Sequence, residues 1–256
     1  MRVAVCCKGV PIDATLESVR VVDGDIQFKG VDYYINEFDA YAIETAIALK
    51  KEYNAETLAL SLGPLRVQEV LYYALAKGID RVARIDGETC RPERVAVGLL
   101  PALQAYEPDI ILFGVQSEDW MGGEVGIYLS QALDMAFAYA VTEITDVTEN
   151  SILVKSELGG GKFAEIEMQK PGILCVQSGI QPLRYLSRMK IKKARQNPIK
   201  SEWKLEPGDV GQMTGAMTGY EIDDVFLPGK EGQAKIIEGE LSEKAATLLE
   251  IIAKAV

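Results

Sequence analysis

The sequence of 256 residues contains no histidine. Without histidine, the Ser-His-Asp and Cys-His nucleophile systems and the usual zinc sites are excluded. The side chain best suited to proton transfer near neutral pH is missing as well. Carboxylate or lysine chemistry stays open, but a hydrolase or a transferase becomes a less favoured class of function.

Long apolar runs and basic charge are scarce too. No stretch approaches the roughly 18 uninterrupted apolar residues of a membrane-spanning helix, and the first ten residues show no cleavage site of a signal peptide. We therefore expect no membrane span and a cytoplasmic protein. The net charge of −11 argues against nucleic acid as a partner, because binding phosphates requires a basic face.

Cysteine is present but not in a pattern that indicates metal or redox chemistry. The four cysteines are Cys6, Cys7, Cys90 and Cys175. They lack the Cys-x-x-Cys spacing of metal and redox sites. We expect them to be buried thiols.

The first half of the chain alternates between buried strands and amphipathic helices. Apolar runs predict strands at 2–10, 56–64, 80–85 and 109–114. Helical spacing predicts helices at 37–53, 67–78 and 91–106, with Asn36 as an N-cap and Gly78 as a helix stop. Alternation with short links predicts an α/β fold, a Rossmann-like doubly wound parallel sheet with helices on both faces.

The second half has a different character. A helix is predicted near 124–133, a strand near 136–143, a hairpin around Gly159-Gly160-Gly161, and a buried strand at 171–178. Residues 196–240 are rich in Gly, Pro and acids and predict an extended arm, followed by a C-terminal helix with Ser242 as candidate cap. We therefore divide the chain into a nucleotide-binding domain, 1–195, and an arm with its helix, 196–256.

The loop after the fourth strand, 114–126, is the strongest candidate site. In open α/β sheets, ligands bind beyond the carboxyl ends of the strands. Gly122 and Gly123 allow close approach of the backbone, and the following helix N-terminus can hold an anion. A plain strand-to-helix connection is equally compatible with this pattern. Glu118, Asp119 and Glu124 favour one phosphate over three, with Asp119 on a sugar hydroxyl or the main chain.

Two familiar nucleotide motifs are absent. The Gly-Gly-Gly-Lys at 159–162 is not a P-loop, because Ser156 and Phe163 stand where Gly and Ser or Thr are required. No Gly-x-Gly-x-x-Gly follows the first strand, so the usual NAD fingerprint is missing.

A basic run stands out in this acidic chain. Residues 188–195 hold five Lys or Arg side chains, directly after Tyr185 and Leu186. The pattern fits either a solvated face or a loop that docks a partner protein.

Several of these segments resemble, in the same order, the beta subunits of electron-transfer flavoproteins. The similar segments are VCCKGVPID, INEFDAYAIETAIALK, ALSLGPLRVQEVLYYALAKGIDR, DIILFGVQSEDWMGGEVG, KPGILCV after the hairpin, and RYLSRMKIKKA. The resemblance covers residues 1–195 and continues more weakly to the C-terminus.

The resemblance implies an electron carrier rather than an enzyme. It implies a fold of the adenine-nucleotide hydrolase-like type and a heterodimer with an alpha subunit that holds the redox FAD. The beta subunit would bind AMP, and electrons would come from flavin dehydrogenases such as acyl-CoA dehydrogenases and pass to a downstream acceptor.

The resemblance also implies which residues contact the nucleotide, on the same sheet edge that the loop pattern indicates. They are Cys6, Asn36, Glu37, Phe38, Asp39, Leu62, Gly114, Val115, Gln116, Ser117, Glu118, Asp119, Trp120, Met121, Gly122, Gly123, Glu124 and Val125. The family's Gln-Thr-Gly is replaced here by Glu124-Val125-Gly126, which leaves AMP and a second FAD both open. The family's docking segment corresponds to Tyr185, Leu186 and Ser187, and is about two residues shorter.

Three other functions are weighed against this one. A bifurcating electron-transfer flavoprotein would hold the second FAD and oxidise NADH. A free-standing adenine-nucleotide-binding module of the stress-protein type would not need the long arm and C-terminal helix, which favour an obligate subunit. An adenylating enzyme would need a Ser-Gly-Gly loop after the first strand, which is absent.

Overall fold

The computed structural model describes residues 1–12, 18–22, 25–87, 91–199, 201, 203–205, 226 and 236–255. Its strands are β1 (Arg2–Cys6), β2 (Gly9–Pro11), β3 (Val19–Val22), β4 (Asp25–Phe28), β5 (Tyr33–Ile35), β6 (Glu56–Leu62), β7 (Arg81–Asp86), β8 (Ile110–Gly114), β9 (Ala136–Val147), β10 (Ser151–Gly159), β11 (Lys162–Gln169), β12 (Gly172–Val176) and β13 (Trp203–Lys204). Its helices are α1 (Glu37–Tyr53), α2 (Gln68–Lys77), α3 (Pro92–Tyr106), α4 (Val125–Leu133), α5 (Arg188–Ala194) and α6 (Leu241–Ala255).

The central sheet of the described chain has nine strands in the order β11-β10-β9-β12-β8-β1-β6-β7-β13. Neighbours from β9 to β13 run parallel. The predicted hairpin, β10 and β11, extends the β9 edge in antiparallel fashion. The prediction of a Rossmann-like doubly wound α/β fold is confirmed. Two small antiparallel pairs, β2 with β5 and β3 with β4, lie outside the sheet.

Strand β1 is buried on both faces, which explains its continuous apolar run. Val3 and Val5 belong to a core that includes side chains of α1 and α2, whereas Ala4 and Cys6 belong to a second core with side chains of α3 and α4. Complete burial of each Val, Leu or Ile side chain stabilises the folded state by about 1.5–3 kcal/mol. The sheet is therefore held between two helical layers.

The order of the strands reverses beside β1. The chain passes from β1 to β6 and β7 on one side, and then crosses to β8 on the other side. The helices after β1 and β8 consequently diverge to opposite faces, which opens a crevice at the carboxyl ends of these two strands. The fold thus places the best position for a ligand between β1 and β8.

A buried Glu44–Lys77 ion pair, joined by the partly exposed Arg184, ties a late segment to the first two helices. Lys77 Nζ lies 2.6 Å from Glu44 Oε1 and also donates to the Arg184 carbonyl, while Arg184 Nε lies 2.6 Å from Glu44 Oε2. The backbone N–H of Arg184 donates to Glu44 as well, at 3.1 Å. Burial alone would raise the pKa of Glu44, but Lys77 and Arg184 outweigh it and lower that pKa. Residue 184 is thereby held through both of its main-chain groups.

One predicted helix cap is wrong and two are confirmed in position. Asn36 is the N-cap residue of α1, but its side chain makes no cap hydrogen bond; its amide instead donates to Gln116 O at 2.8 Å. Ser242 lies inside α6, which begins at Leu241. Gly78 ends α2 with a left-handed φ of 119°.

Helix α6 is exposed to solvent on all sides, since residues 241–254 are all exposed. Among the described residues, no helix is long and apolar enough to cross a membrane. Most of the predicted arm lies outside the described residues, although β13 within it pairs with β7. The proposed boundary at residue 195 stays a prediction.

Candidate functional site

A cavity of about 420 Å³ opens where the strand order reverses. The last residues of β1, β6 and β8 line it: Cys6, Leu62 and Gly114. Its volume lies within the range of natural sites for small organic ligands, roughly 300–1,000 Å³. Leu62 and, from α3, Pro92 and Val95 give it apolar walls. The cavity therefore suits a ligand with one flat apolar part and a polar remainder.

Asp39 fixes the two sides of the crevice relative to each other. Its Oδ1 accepts the Gly114 N–H at 2.9 Å and its Oδ2 accepts the Lys8 N–H at 2.8 Å. Burial raises the pKa of Asp39 from 3.8 to about 6, although these two backbone N–H groups, Asn36 and Lys8 oppose the rise. One buried carboxyl thus joins the chain after β1 to the end of β8.

Three polar side chains hold the loop after β8. Asn36 donates to Gln116 O at 2.8 Å and accepts from the Glu118 N–H at 3.2 Å. Lys8 Nζ lies 2.7 Å from Asp119 Oδ1, and the Tyr34 hydroxyl lies 2.5 Å from Glu118 Oε2. Two of the three acidic residues expected to disfavour several phosphates, Glu118 and Asp119, are therefore engaged within the chain. These contacts within the chain fix the conformation of the loop.

Two glycines of the loop, Gly114 and Gly123, are required by the protein's own packing. A Cβ atom at Gly114 would lie 2.5 Å from Phe38 Cβ and 2.7 Å from Asp39 Oδ1. Gly123 has a φ of +65°, and its Cβ would lie 2.6 Å from Val115 O. The close approach predicted for Gly123 is thus an approach to the chain itself. Gly122 has more room, since its nearest neighbour is Glu124 Oε1 at 3.2 Å.

The entrance of helix α4 borders the cavity. Glu124 precedes the helix, and Val125 and Gly126 begin it; all three line the cavity. The first N–H groups of a helix carry partial positive charge and bind anions. Lys8 and Arg91 also line the cavity, but Lys8 pairs with Asp119 and Arg91 Nε lies 2.6 Å from Glu93 Oε1. This arrangement suits one phosphate better than a polyphosphate.

Three thiols lie at the base of the cavity. Cys6, Cys7 and Cys175 are buried and free, as predicted. Burial raises the pKa of all three thiols, that of Cys175 to about 12. Strand β8 separates Cys6 from Cys175, which puts their Cα atoms roughly 9.6 Å apart, beyond disulfide range. Because their pKa values are raised, the thiols are poor nucleophiles. Cys90 lies outside the described residues.

Most of the expected nucleotide contacts meet at this cavity. The lining includes Cys6, Asn36, Asp39, Leu62, Gly114, Gln116, Ser117, Trp120, Gly122, Gly123, Glu124 and Val125. The remaining expected contacts are close in sequence but not among its lining: Glu37, Phe38, Val115, Glu118, Asp119 and Met121. Glu37 is exposed, and Val115 is buried behind the loop.

Other lining residues were not among the expected nucleotide contacts. Gly126 belongs to the predicted loop 114–126, and Cys7 follows Cys6 at the end of the first strand. The others are Lys8, Leu60, Arg91, Pro92, Val95, Leu99, Phe113 and Cys175. Lys8 and Phe113 adjoin predicted residues, so a wider window around the strand ends would have found them. The α3 wall and Cys175 depend on the sheet order, which no local pattern indicates.

The expected docking segment lies apart from the cavity lining. Tyr185 is 88% exposed, whereas Leu186 is half-buried and Ser187 precedes α5. The basic run forms α5, whose Arg188, Lys190, Lys192 and Lys193 are exposed. Arg195 pairs with Glu69 of α2 at 2.6 Å. Tyr185 is thus the more accessible apolar group of the predicted anchor.

The part of the chain that the structure describes contains no group of three or more Cys, Asp or Glu side chains arranged to hold a metal ion.

Comparison with known proteins agrees with this architecture. The family described as "Electron transfer flavoprotein domain" matches residues 24–204, more than half of the chain. The protein named "Electron transfer flavoprotein subunit beta" from Methylophilus methylotrophus is 32% identical over 247 residues, covering 90% of this chain and 92% of its own. The protein of the same name from Bacillus subtilis strain 168 is 29% identical over 243 residues, with 93% of each chain covered.

Proposed function

The chain belongs to the electron transfer flavoprotein family, and on this premise we propose that it is the beta subunit of a heterodimeric electron carrier with AMP in its cavity. The observation that carries the proposal is the cavity itself. It lies at the reversal of strand order, and the entrance of α4 and most residues of the glycine-bearing loop 114–126 line it. This is the position at which α/β folds bind nucleotides.

AMP fits the charges around the cavity better than a second FAD. One helix entrance supplies N–H groups for one phosphate, and the lining cations Lys8 and Arg91 already pair with Asp119 and Glu93. Glu124 also lines the cavity and would oppose a second phosphate. A bifurcating subunit would need room and charge for the diphosphate of FAD.

The chain's own residues bind and orient; they do not react. A flavin, held mainly by the alpha subunit, would supply the electron chemistry. Near the cavity, the buried thiols have raised pKa values, and Asp39 is engaged by two backbone N–H groups. We therefore expect the isolated chain to hydrolyse no ATP.

Helix α6 supports the assignment of an alpha subunit as partner. Its seam of Leu241, Ala245, Leu248 and Ile252 follows 4-3-4 spacing, and these residues are exposed. Leu241 is 84% exposed and Ile252 50% exposed. An apolar helix face of this kind requires a partner that buries it. The alpha subunit would be that partner.

Electron donors would dock at Tyr185 beside the basic helix α5. Flavin dehydrogenases, such as acyl-CoA dehydrogenases, are the proposed donors. An exposed aromatic side chain gives a contact specificity, and neighbouring positive charges raise the encounter rate.

Extraction of nucleotides from the purified heterodimer tests the central claim. One FAD and one AMP would give twice as much adenine as flavin, whereas two FAD molecules would give equal amounts of each. Equal amounts would favour the bifurcating subunit and exclude AMP from the cavity. A chain purified alone, stable and without bound adenine, would instead contradict the subunit assignment.

A further inference from the structure

One aromatic side chain on the cavity lining is open to a ligand. Among the described residues that line the cavity, Phe113 and Trp120 are the aromatic ones, and Phe113 is only 8% exposed. Trp120 is 39% exposed. An indole carries a large apolar surface that can pack against the ring of a ligand. The exposed part of Trp120 is therefore available to a ligand in the cavity.

The backbone around Trp120 is fixed. The backbone N–H of Trp120 donates to Asp119 Oδ1 at 2.9 Å, and the same oxygen accepts from Lys8 Nζ at 2.7 Å. The next residue, Met121, has a φ of +56° and donates its N–H to Ser117 O at 2.8 Å. A left-handed non-glycine residue is uncommon and persists where surrounding contacts determine it. Trp120 is thus presented from a rigid turn.

The rest of the lining offers a second apolar surface. Leu62, Pro92 and Val95 line the same cavity as Trp120, and the cavity volume of about 420 Å³ accommodates a small ligand. A planar heterocycle gains most when one face meets an aromatic ring and the other meets aliphatic groups. These features together select for a base, not only for a phosphate.

We infer that Trp120 stacks on the base of the bound nucleotide, and that it determines preference for a nucleotide over a phosphorylated sugar. The inference rests on the proposed function, since it concerns the same cavity. The Lys8–Asp119 pair is a positioning contact, because Lys8 holds the Asp119 carboxylate that accepts the backbone N–H of Trp120. The competing explanation is that Trp120 contacts the partner subunit and touches no nucleotide.

The test compares two ligands that differ only by the base. The full heterodimer, freed of nucleotide, is titrated calorimetrically with AMP, and ribose 5-phosphate is measured by its displacement of AMP. The variants are Trp120→Leu, which removes the ring, and Trp120→Phe, which keeps one. Trp203→Phe serves as the matched control, because Trp203 lies on β13, the edge strand beside β7, and does not line this cavity.

Trp120→Leu should weaken AMP binding about tenfold to a hundredfold, the usual effect of losing one base–aromatic stack. Its affinity for ribose 5-phosphate should stay unchanged. Trp120→Phe should retain most of the AMP affinity, and Trp203→Phe all of it. The melting temperature of each variant verifies that the fold is intact.

Three results would overturn the inference. Undiminished AMP affinity in Trp120→Leu would remove the stack and leave the proposed function standing. Equal losses for AMP and ribose 5-phosphate would show that Trp120 shapes the loop instead of contacting the base. Binding of neither ligand by the unaltered heterodimer would overturn both the inference and the proposed AMP site.

Discussion

The sheet edge around the cavity and helix α6 differ in where their side chains find partners. At the cavity, Asp39, Asn36 and Lys8 bond to one loop of the same chain. On α6, the apolar seam is exposed over its length. The cavity is therefore held by contacts within the chain, whereas the helix would acquire its contacts from the proposed partner. One chain thus combines a preorganised site with a surface that depends on assembly.

The largest expected effect lies on α6. Leu248→Gln combined with Ile252→Gln removes two apolar side chains from the seam. Because each buried side chain contributes about 1.5–3 kcal/mol, we expect heterodimer affinity to fall more than about a hundredfold. Analytical ultracentrifugation measures it. Thr247→Gln with Lys254→Gln changes the opposite side of the helix and should leave assembly intact. Equal losses in both variants would mean that the seam is not the interface.

At the cavity, Asp39 should give stability an unusual dependence on pH. Its pKa rises from 3.8 in the unfolded chain to about 6 in the folded protein. Between these values the folded protein binds a proton that the unfolded chain does not, so this contribution to stability increases as pH falls. The full shift corresponds to about 3 kcal/mol.

Urea unfolding of Asp39→Asn beside the unaltered chain isolates that contribution, because all other groups are shared. As the pH falls from about 7 to about 4, the unfolding free energy of the unaltered chain should increase relative to that of Asp39→Asn. The substituted side chain would also turn an amide N–H₂ toward a backbone N–H, which lowers stability at every pH. A difference that does not change with pH would show that Asp39 titrates normally.

Gly114→Ala tests how tightly the loop is packed against α1. The new methyl group would meet Phe38 Cβ at 2.5 Å, and overpacking of this kind costs about 1–3 kcal/mol. Nucleotide content should fall with stability, because Gly114 lines the cavity. Gly9→Ala is the matched control, since its nearest contact would be 3.4 Å, an ordinary distance. Comparable destabilisation in both variants would refute the packing argument.

The smallest effect on stability is expected at Tyr185. This side chain is 88% exposed, so Tyr185→Ala should change the unfolding free energy by less than about 0.5 kcal/mol. The rate of electron transfer from a flavin dehydrogenase should nevertheless fall. Leu186→Ala changes a half-buried position, so it should lower the unfolding free energy more, and the electron-transfer rate less, than Tyr185→Ala. A normal transfer rate in Tyr185→Ala would remove this residue from docking.

Local sequence patterns predict the elements of the fold better than the site. The apolar runs and the helical spacing of residues 37–53 translate directly into β1, β6, β8 and α1, because burial and periodicity act within one segment. The loop 114–126 is recognisable for the same reason, as glycines follow a strand. The hairpin at 159–161 needs only its three glycines.

Contacts between residues far apart in the sequence could not be predicted from local patterns. Asn36 has the residue type and position of a helix cap, yet its side chain bonds a loop that lies 80 residues further along the chain. Lys8 likewise pairs with Asp119, 111 residues away. Cys175 reaches the cavity because β12 inserts beside β8. These contacts follow from strand order, which a single sequence does not specify.

The Glu44–Lys77–Arg184 cluster also sets an order of events during synthesis. Arg184 closes onto Lys77 across 107 residues, and at a translation rate of about 5–20 residues per second that segment takes about 5–20 s to follow. During this interval, Glu44 and Lys77 have only each other inside a nascent core, without the guanidinium and main-chain groups that complete their hydrogen bonds. The early helices therefore reach their final free energy only after residue 184 leaves the ribosome. The cluster therefore forms only after β12 has been synthesised, and it fixes the segment that presents Tyr185 to helices α1 and α2.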